Sequence, residues 1–264
     1  MNVDFLKCML SLAGCKAVVT GAGSGIGRAA ALSLANFGAE VFLLGRRMEK
    51  LSKTEEEINK AGAKSKSYGV DISDCNQVEE FFDFFRHEHQ HLDVFVANAG
   101  QILRADVFDT SEEEFDRINN INFKGTWRCL KHAGEIMRKQ RRGNIIVVTS
   151  VNGMRPMPNQ AIYSSTKFAL QGLTLSLAAT LAPYGVRVNS CAPGSVITDF
   201  NKDIFSVESV RRNRIEEIPL GFIAEPMDIG VIIAFLATDA CRFMTGSTVL
   251  IDGGESLRKS MKQN

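Results

Sequence analysis

Tyr163 and Lys167 stand four residues apart, at the head of a helical pattern that continues through Phe168, Leu170 and Leu173. Four residues is about one helical turn, so a phenol and an ammonium project from one face. A free tyrosine titrates near ~10, too high for a base at neutral pH, and a neighbouring cation favours the phenolate. The pair is therefore expected to exchange a proton near neutral pH. Ser150, thirteen residues earlier, closes an apolar run over 144–149 and can aim a hydroxyl at the same point. The spacing Y-x-x-x-K also arises in helices that do no chemistry, so its meaning depends on the rest of the chain.

A second chemistry-bearing stretch is Thr20-Gly21-Ala22-Gly23-Ser24-Gly25-Ile26-Gly27, between an apolar run and a helical pattern. Glycines there let the backbone turn tightly and approach a phosphate, with helix N–H groups aimed at the anion. The spacing is G-x-x-x-G-x-G, and no Lys-Ser/Thr follows it, which argues against a P-loop. The next apolar run ends Leu44-Gly45-Arg46-Arg47. An acid at that place would bond an unmodified ribose, whereas arginine accommodates a 2′-phosphate, so NADP is expected over NAD. Arg46, next to the strand end, is the stronger phosphate candidate, and Arg47 equally suits a solvated helix start. Asp71 either bonds adenine or caps the helix beginning near Ser73. Asn98-Ala99-Gly100 offers a small turn on which a cofactor can lie close to the backbone.

These residues need a frame to hold them. Apolar runs at Lys16–Thr20, Glu40–Leu44, Val94–Ala97, Asn144–Thr149, Arg187–Cys191 and Thr248–Ile251, with the polar stretch Lys64–Tyr68, read as strands. Most are continuous rather than alternating, as in parallel strands buried on both faces. Helical patterns near 26–37, 48–61, 74–88, 111–141, 163–182 and 226–238 separate them. The alternation predicts an α/β fold, a single Rossmann-type doubly wound domain over 1–264 with a seven-stranded parallel sheet. Helix 74–88 carries Phe81, Phe82, Phe84 and Phe85, more than one face can bury, so some are expected to meet a partner subunit. Trp127 suits packing or an interface.

At 264 residues, 45% apolar and 23% charged, the chain can bury a large core, and its net charge of +1 gives no nucleic-acid or membrane signal. Basic clusters at Arg138–Arg142 and Arg258–Lys262 read as a helix C-terminus and a polar tail. Six scattered cysteines without C-x-x-C fit reduced thiols and a cytoplasmic location. Phe5–Leu12 is too short to span a bilayer and lacks the plan of a signal peptide. His87, His89 and His91 alternate, but spacing two on a helix points them apart, so no metal site is expected.

Taken together, TGAGSGIG, Asn98-Ala99-Gly100, Asn122, Ser150, Tyr163-x-x-x-Lys167 and Pro193-Gly194 leading to Thr198 resemble the short-chain dehydrogenase/reductase family, in its shorter single-domain branch. The resemblance implies hydride transfer between a nicotinamide and a carbonyl or alcohol carbon. It implies Tyr163 as general acid or base, and Lys167 lowering its pKa and holding the nicotinamide ribose. Ser150 would bond the substrate oxygen and Asn122 would support a water relay. Cofactor contacts are implied at Gly21, Ser24, Gly25, Ile26, Gly27, Arg46, Arg47, Asp71, Ile72, Asn98, Ala99, Gly100, Tyr163, Lys167, Pro193, Gly194, Val196 and Thr198. A homodimer or homotetramer is implied as well.

The substrate pocket is expected between 153–160 and a helical lid over 199–222, with Arg155 paired to an anionic substrate or lying as a surface charge, and Met154 and Met157 as apolar wall. A small polar substrate, a polyol or keto acid, leads. A 3-oxoacyl-thioester (acyl carrier protein) reductase is the alternative; Glu135 and Ala179 stand where such enzymes carry basic residues for the carrier. From another class, a non-catalytic NADPH-sensing regulator would keep the fold without using Tyr163. The basic residue common before the second loop glycine of NADP users is replaced by Ser24, which leaves phosphate recognition mainly to Arg46.

Overall fold

The computed structural model describes residues 3–257; the Arg258–Lys262 cluster lies outside the described residues. Seven strands form one parallel sheet: β1 (Lys16–Thr20), β2 (Glu40–Gly45), β3 (Ser65–Gly69), β4 (Val94–Ala97), β5 (Gly143–Val148), β6 (Val186–Pro193) and β7 (Thr248–Ile251). Their order is β3-β2-β1-β4-β5-β6-β7, so the winding reverses between β1 and β4. Side chains leave a strand on alternate faces, and the two cores divide accordingly. Ala17, Val19, Val41 and Leu43 feed one core; Val18, Phe42 and Leu44 feed the other.

The first core is covered by α2 (Gly25–Asn36), α3 (Met48–Lys60) and α10 (Pro226–Ala237). The alanine run of α2 lets α10 approach so closely that a Cβ on Gly230 would lie 2.6 Å from the Ala29 backbone. The second core is covered by α4 (Cys75–Glu88), α6 (Thr126–Gln140) and α7 (Ala161–Leu181). Phe81, Phe82 and Phe85 of α4 are buried there, whereas Phe84 lies partly exposed with its ring 5.6 Å from that of Tyr68 on β3. At the sheet edge, β3 is polar and only half-buried, as an edge that avoids unwanted pairing is.

The strand and helix patterns read from the sequence land within a few residues of the observed elements, with two differences. A short helix α1 (Val3–Leu10) precedes β1, in a stretch too short for periodicity to declare. The expected helix 111–141 is three pieces: α5 (Glu112–Asn119), a π-helical segment Asn120–Gly125, and α6. Ser111 and Glu114 form a capping box that starts α5. The lid contains α8 (Lys202–Phe205) and α9 (Glu208–Glu217).

Other local readings are corrected by contacts. Asp74, not Asp71, caps α4. Arg138 and Arg141 lie over the Tyr184 ring at 4.8 and 5.5 Å, and Arg142 pairs with Asp93 at 3.1 Å, so the basic run fastens neighbouring loops as well as ending a helix. His89 packs its ring against Phe42 and Phe85, while His91 faces Asp93. Among the described residues, no helix is long and apolar enough to cross a membrane.

Candidate active site

A reversal of winding opens a crevice at the carboxyl ends of the strands. Here a cleft of about 600 Å³ runs across the ends of β1, β2, β4, β5 and β6, and Arg46, Ser150, Tyr163 and Pro193 all line it. The loop after β1 forms one wall. Gly25 holds φ at +53° with Thr198 against it, a backbone conformation that side chains disfavour. Gly27 does not reach the cleft. A Cβ there would sit 2.3 Å from both Asn98 Nδ2 and the Gly21 carbonyl, so this glycine lets α2 pack directly on the strand end. Asn98 Nδ2 in turn donates to the Thr20 carbonyl at 3.0 Å, tying the β4 turn to the loop.

One end of the cleft is cationic. Arg46, Arg47 and Lys50 line it. Asp71 approaches Arg46 at 3.7 Å and spends its other oxygen on the Ser73 N–H and hydroxyl. Arg47 donates to the Ser24 hydroxyl at 3.3 Å. Ile72, Ala99, Gly100, Val196 and Thr198 continue the lining toward the other end. Backbone brought close by glycine, helix N–H groups and exposed arginines are the donor set that a dinucleotide with an added phosphate requires. The cleft fits such a group.

The other end is dry. Ser150, Tyr163 and Lys167 are 9%, 9% and 5% exposed. Ser150 follows β5 in an extended conformation, and its hydroxyl accepts the Asn152 N–H at 3.1 Å. Lys167, one turn after Tyr163 on α7, donates to the Val148 carbonyl at 2.9 Å, with its nitrogen 5.7 Å from the centre of the Tyr163 ring. Burial pushes the phenol pKa up, opposed by the hydrogen bond with Ser150 and by the charge of Arg104. Burial pulls Lys167 down to about 8. Lys167 stands beside the ring, and Arg104, a loop residue with no helical or strand pattern to announce it, adds a second positive charge that lowers the phenol.

Asn122 is fully buried behind the cleft rather than on its surface. Its Oδ1 accepts the Gln101 N–H at 2.7 Å, and its Nδ2 donates to the Gln101 carbonyl at 2.8 Å and reaches the Thr166 hydroxyl at 3.3 Å. Thr166 donates to the Tyr163 carbonyl at 2.7 Å. Asn122 thus fastens the turn after β4 to the helix that carries tyrosine and lysine. The π-helical segment is what turns Asn122 into this position, a use of π geometry common at working sites.

The expected lid does face the site. Phe200, Ile204, Phe205, Val210, Asn213 and Arg214 line the cleft opposite Met157 and Gln160. Met154 is exposed and outside it. Arg155 is also outside it, donating instead to the Glu255 and Ser256 carbonyls at 3.0 and 3.1 Å. Arg214 is held by Glu217 at 2.8 Å and Glu255 at 3.1 Å. Arg104 lines the substrate end and, among the described residues, forms no ion pair. A hydroxyl and a phenol converging in a dry pocket can hold a carbonyl oxygen and give it a proton as hydride reaches the carbon.

Comparison with known proteins agrees with this geometry. A family model described as enoyl-(acyl carrier protein) reductase matches residues 21–256. A short-chain dehydrogenase/reductase of Armillaria gallica is 38% identical over 246 residues, 90% of this chain and 94% of that protein. The 3-oxoacyl-[acyl-carrier-protein] reductase of Thermotoga maritima is 33% identical, over 93% and 99% of the two chains. Among solved structures, a gluconate 5-dehydrogenase from Burkholderia cenocepacia in complex with NADP and tartrate superposes with a TM-score of 0.91 at 27% identity, covering 96% of this chain and all of that one. The chain belongs to the short-chain dehydrogenase/reductase family. It is an oxidoreductase of the kind that interconverts a carbonyl and an alcohol with a nicotinamide cofactor.

Proposed function

We propose that this enzyme uses NADP(H) in preference to NAD(H) and acts on a small polar carbonyl or secondary alcohol, best one that carries a carboxylate. The observation that carries the reading is a single cleft with Arg46 and Arg47 at one end and the buried Ser150, Tyr163 and Lys167 at the other. When bound, the nicotinamide supplies or accepts the hydride. Ser150 holds the substrate oxygen, and Tyr163 gives it the proton. The raised phenol pKa keeps that proton in place at neutral pH, which suits reduction. Lys167 is positioned to hold the ribose once it exchanges its Val148 partner, and Asn122 keeps the Gln101 turn and α7 in register. Gly21, Ser24, Gly25, Ile26, Asp71, Ile72 and Asn98 to Gly100 would cradle the adenosine and diphosphate. Pro193, Gly194, Val196 and Thr198 would support the nicotinamide amide.

For the substrate, Arg104 and not Arg155 is placed to pair with an anion. Among the described residues it is the cation at the substrate end that forms no ion pair, in a cleft whose apolar lining includes Met157, Phe200 and Ile204. A screen of hydroxy acids and keto acids against the matching polyols should show Arg104→Ala raising KM for the acids alone, by ~10-fold. Acetoacetyl-CoA tests the thioester reading that the Thermotoga maritima relative supports; turnover faster than with any acid would replace this substrate class. Glu135 and Ala179, both exposed, offer no positive charge to an acidic carrier.

Titration with NADPH and NADH, followed by cofactor fluorescence, tests the cofactor. Tighter NADPH binding that Arg46→Ala abolishes is the expected result, and equal or tighter NADH binding would sink the preference. Unchanged turnover in Tyr163→Phe would point to a sensor rather than a catalyst. A homo-oligomer completes the reading: Phe115, Trp127, Phe168 and Leu175 are exposed on α5, α6 and α7, and light scattering should return more than one chain.

A further inference from the structure

Ser24 leaves the Gly-rich loop without a charge of its own, yet the structure brings charge to it from α3. The first turn of that helix lies directly on the loop: a Cβ on Gly23 would be 3.0 Å from the Lys50 Cβ and 3.4 Å from the Leu51 nitrogen. Lys50 lines the cleft beside Arg46 and Arg47, with its side chain about a third exposed. Its ammonium is bonded to the carboxylate of Asp199. Asp199 follows Thr198, whose methyl group would lie 3.3 Å from a Cβ on Gly25, so the pair closes the seam between the Gly-rich loop and the base of the lid. On this side the cleft sets three cations against two carboxylates, Asp71 near Arg46 and Asp199 on Lys50.

We propose that Lys50 is a further specificity-determining residue that binds the 2′-phosphate of NADP(H), and that Asp199 competes with the phosphate for the same ammonium. The inference rests on the NADP reading of Arg46. An ion pair this exposed contributes little on its own, whereas a phosphate dianion between arginine and lysine gains several charge-assisted hydrogen bonds. The exchange also releases Asp199 toward Lys202 and Arg47, whose charges already act on it. Reading the phosphate thereby loosens the lid base from α3. The sequence alone presents Lys50 as one of several charges in MEKLSKTEEE; only the approach of Gly23 distinguishes it.

The test uses two fragments that differ in the phosphate alone, adenosine 2′,5′-bisphosphate and 5′-AMP, in calorimetry, with NADPH and NADH by fluorescence. Lys50→Ala should weaken the bisphosphate and NADPH by ~10-fold while leaving 5′-AMP and NADH within about 2-fold, and Lys50→Arg should restore most of the loss. Asp199→Asn should tighten the bisphosphate and leave 5′-AMP unchanged, and this gain should vanish in the Lys50→Ala background. Equal weakening of both fragments by Lys50→Ala, or no weakening, overturns the role of Lys50. No gain in Asp199→Asn overturns the competition. If Arg46→Ala weakens the bisphosphate but Lys50→Ala does not, this inference alone falls. If neither variant matters and NADH binds as well as NADPH, the NADP reading falls with it.

Discussion

The two ends of the cleft are built on opposite terms. At the catalytic end, Ser150, Tyr163 and Lys167 are almost without solvent; Ser150 and Lys167 bond backbone groups, and the Tyr163 phenol bonds Ser150. At the phosphate end, Arg46, Arg47 and Lys50 stand in partial contact with water, and their partners are side chains that can be exchanged. Burial makes electrostatics strong and rearrangement expensive; exposure makes each pair weak and its replacement cheap. The proposed proton transfer profits from the first, and the proposed discrimination of one phosphate from none profits from the second.

The largest effect should come from the buried end. Tyr163→Phe should reduce kcat by about 10³-fold while leaving NADPH affinity within about 2-fold; a large loss of affinity instead would mean that the phenol holds the cofactor as much as it moves a proton. Gly27→Ala should come next, because its Cβ would occupy the space of Asn98 Nδ2 and the Gly21 carbonyl. A stability loss of roughly 3 kcal/mol by urea unfolding is expected, as for an overpacked core; a neutral result would show that α2 shifts freely on the strand end.

Lys167 separates function from stability. Its pKa is about 8 when folded and ~10.4 in an unfolded chain, so the folded state binds fewer protons between those values. Stability therefore rises with pH across that window, and the cost of the buried cation is complete below about pH 8. Lys167→Met should melt ~5 °C higher than the parent at pH 7, with the gap closing as pH approaches 10.5, and should lose activity throughout. A lower melting temperature at pH 7 would mean that the bond to Val148 outweighs burial. The smallest effect belongs to the exposed end. Raising ionic strength from 0.05 to 0.5 M, roughly a threefold shorter Debye length, should weaken NADPH binding several-fold and leave NADH nearly unchanged.

The same contrast governs what could be read without coordinates. The strands were legible because burial on both faces demands continuous apolar runs such as Val41-Phe42-Leu43-Leu44. Tyr163, Lys167, Ser150 and the Gly-rich loop were legible because a fixed spacing on regular elements fixes geometry. Arg104, Lys50 and the carbonyl partners of Arg155 were not. Each lies in a loop or on a charged helix face, where spacing says nothing about which neighbour is met. The π-helical segment was hidden for a related reason: nothing in Asn120-Ile121-Asn122-Phe123-Lys124-Gly125 marks a turn widened by one residue, and the bonds of Asn122 to Gln101 and Thr166 join residues far apart in sequence.

That segment also limits how this lineage can change in length. A π turn holds one residue more than the α turn it replaces, so deleting a single residue from 120–125 would restore a regular helix without breaking the chain. The restored helix would keep Cys129, Leu130 and Ala133 facing the core they now fill, because a π turn absorbs its extra residue without rotating the helix on either side. The loss would be local: Asn122 would no longer be turned toward Gln101 and Thr166. The residue that widens the turn is spent on the site and not on the packing, so a deletion here would spare the fold and undo the tie between the β4 turn and α7.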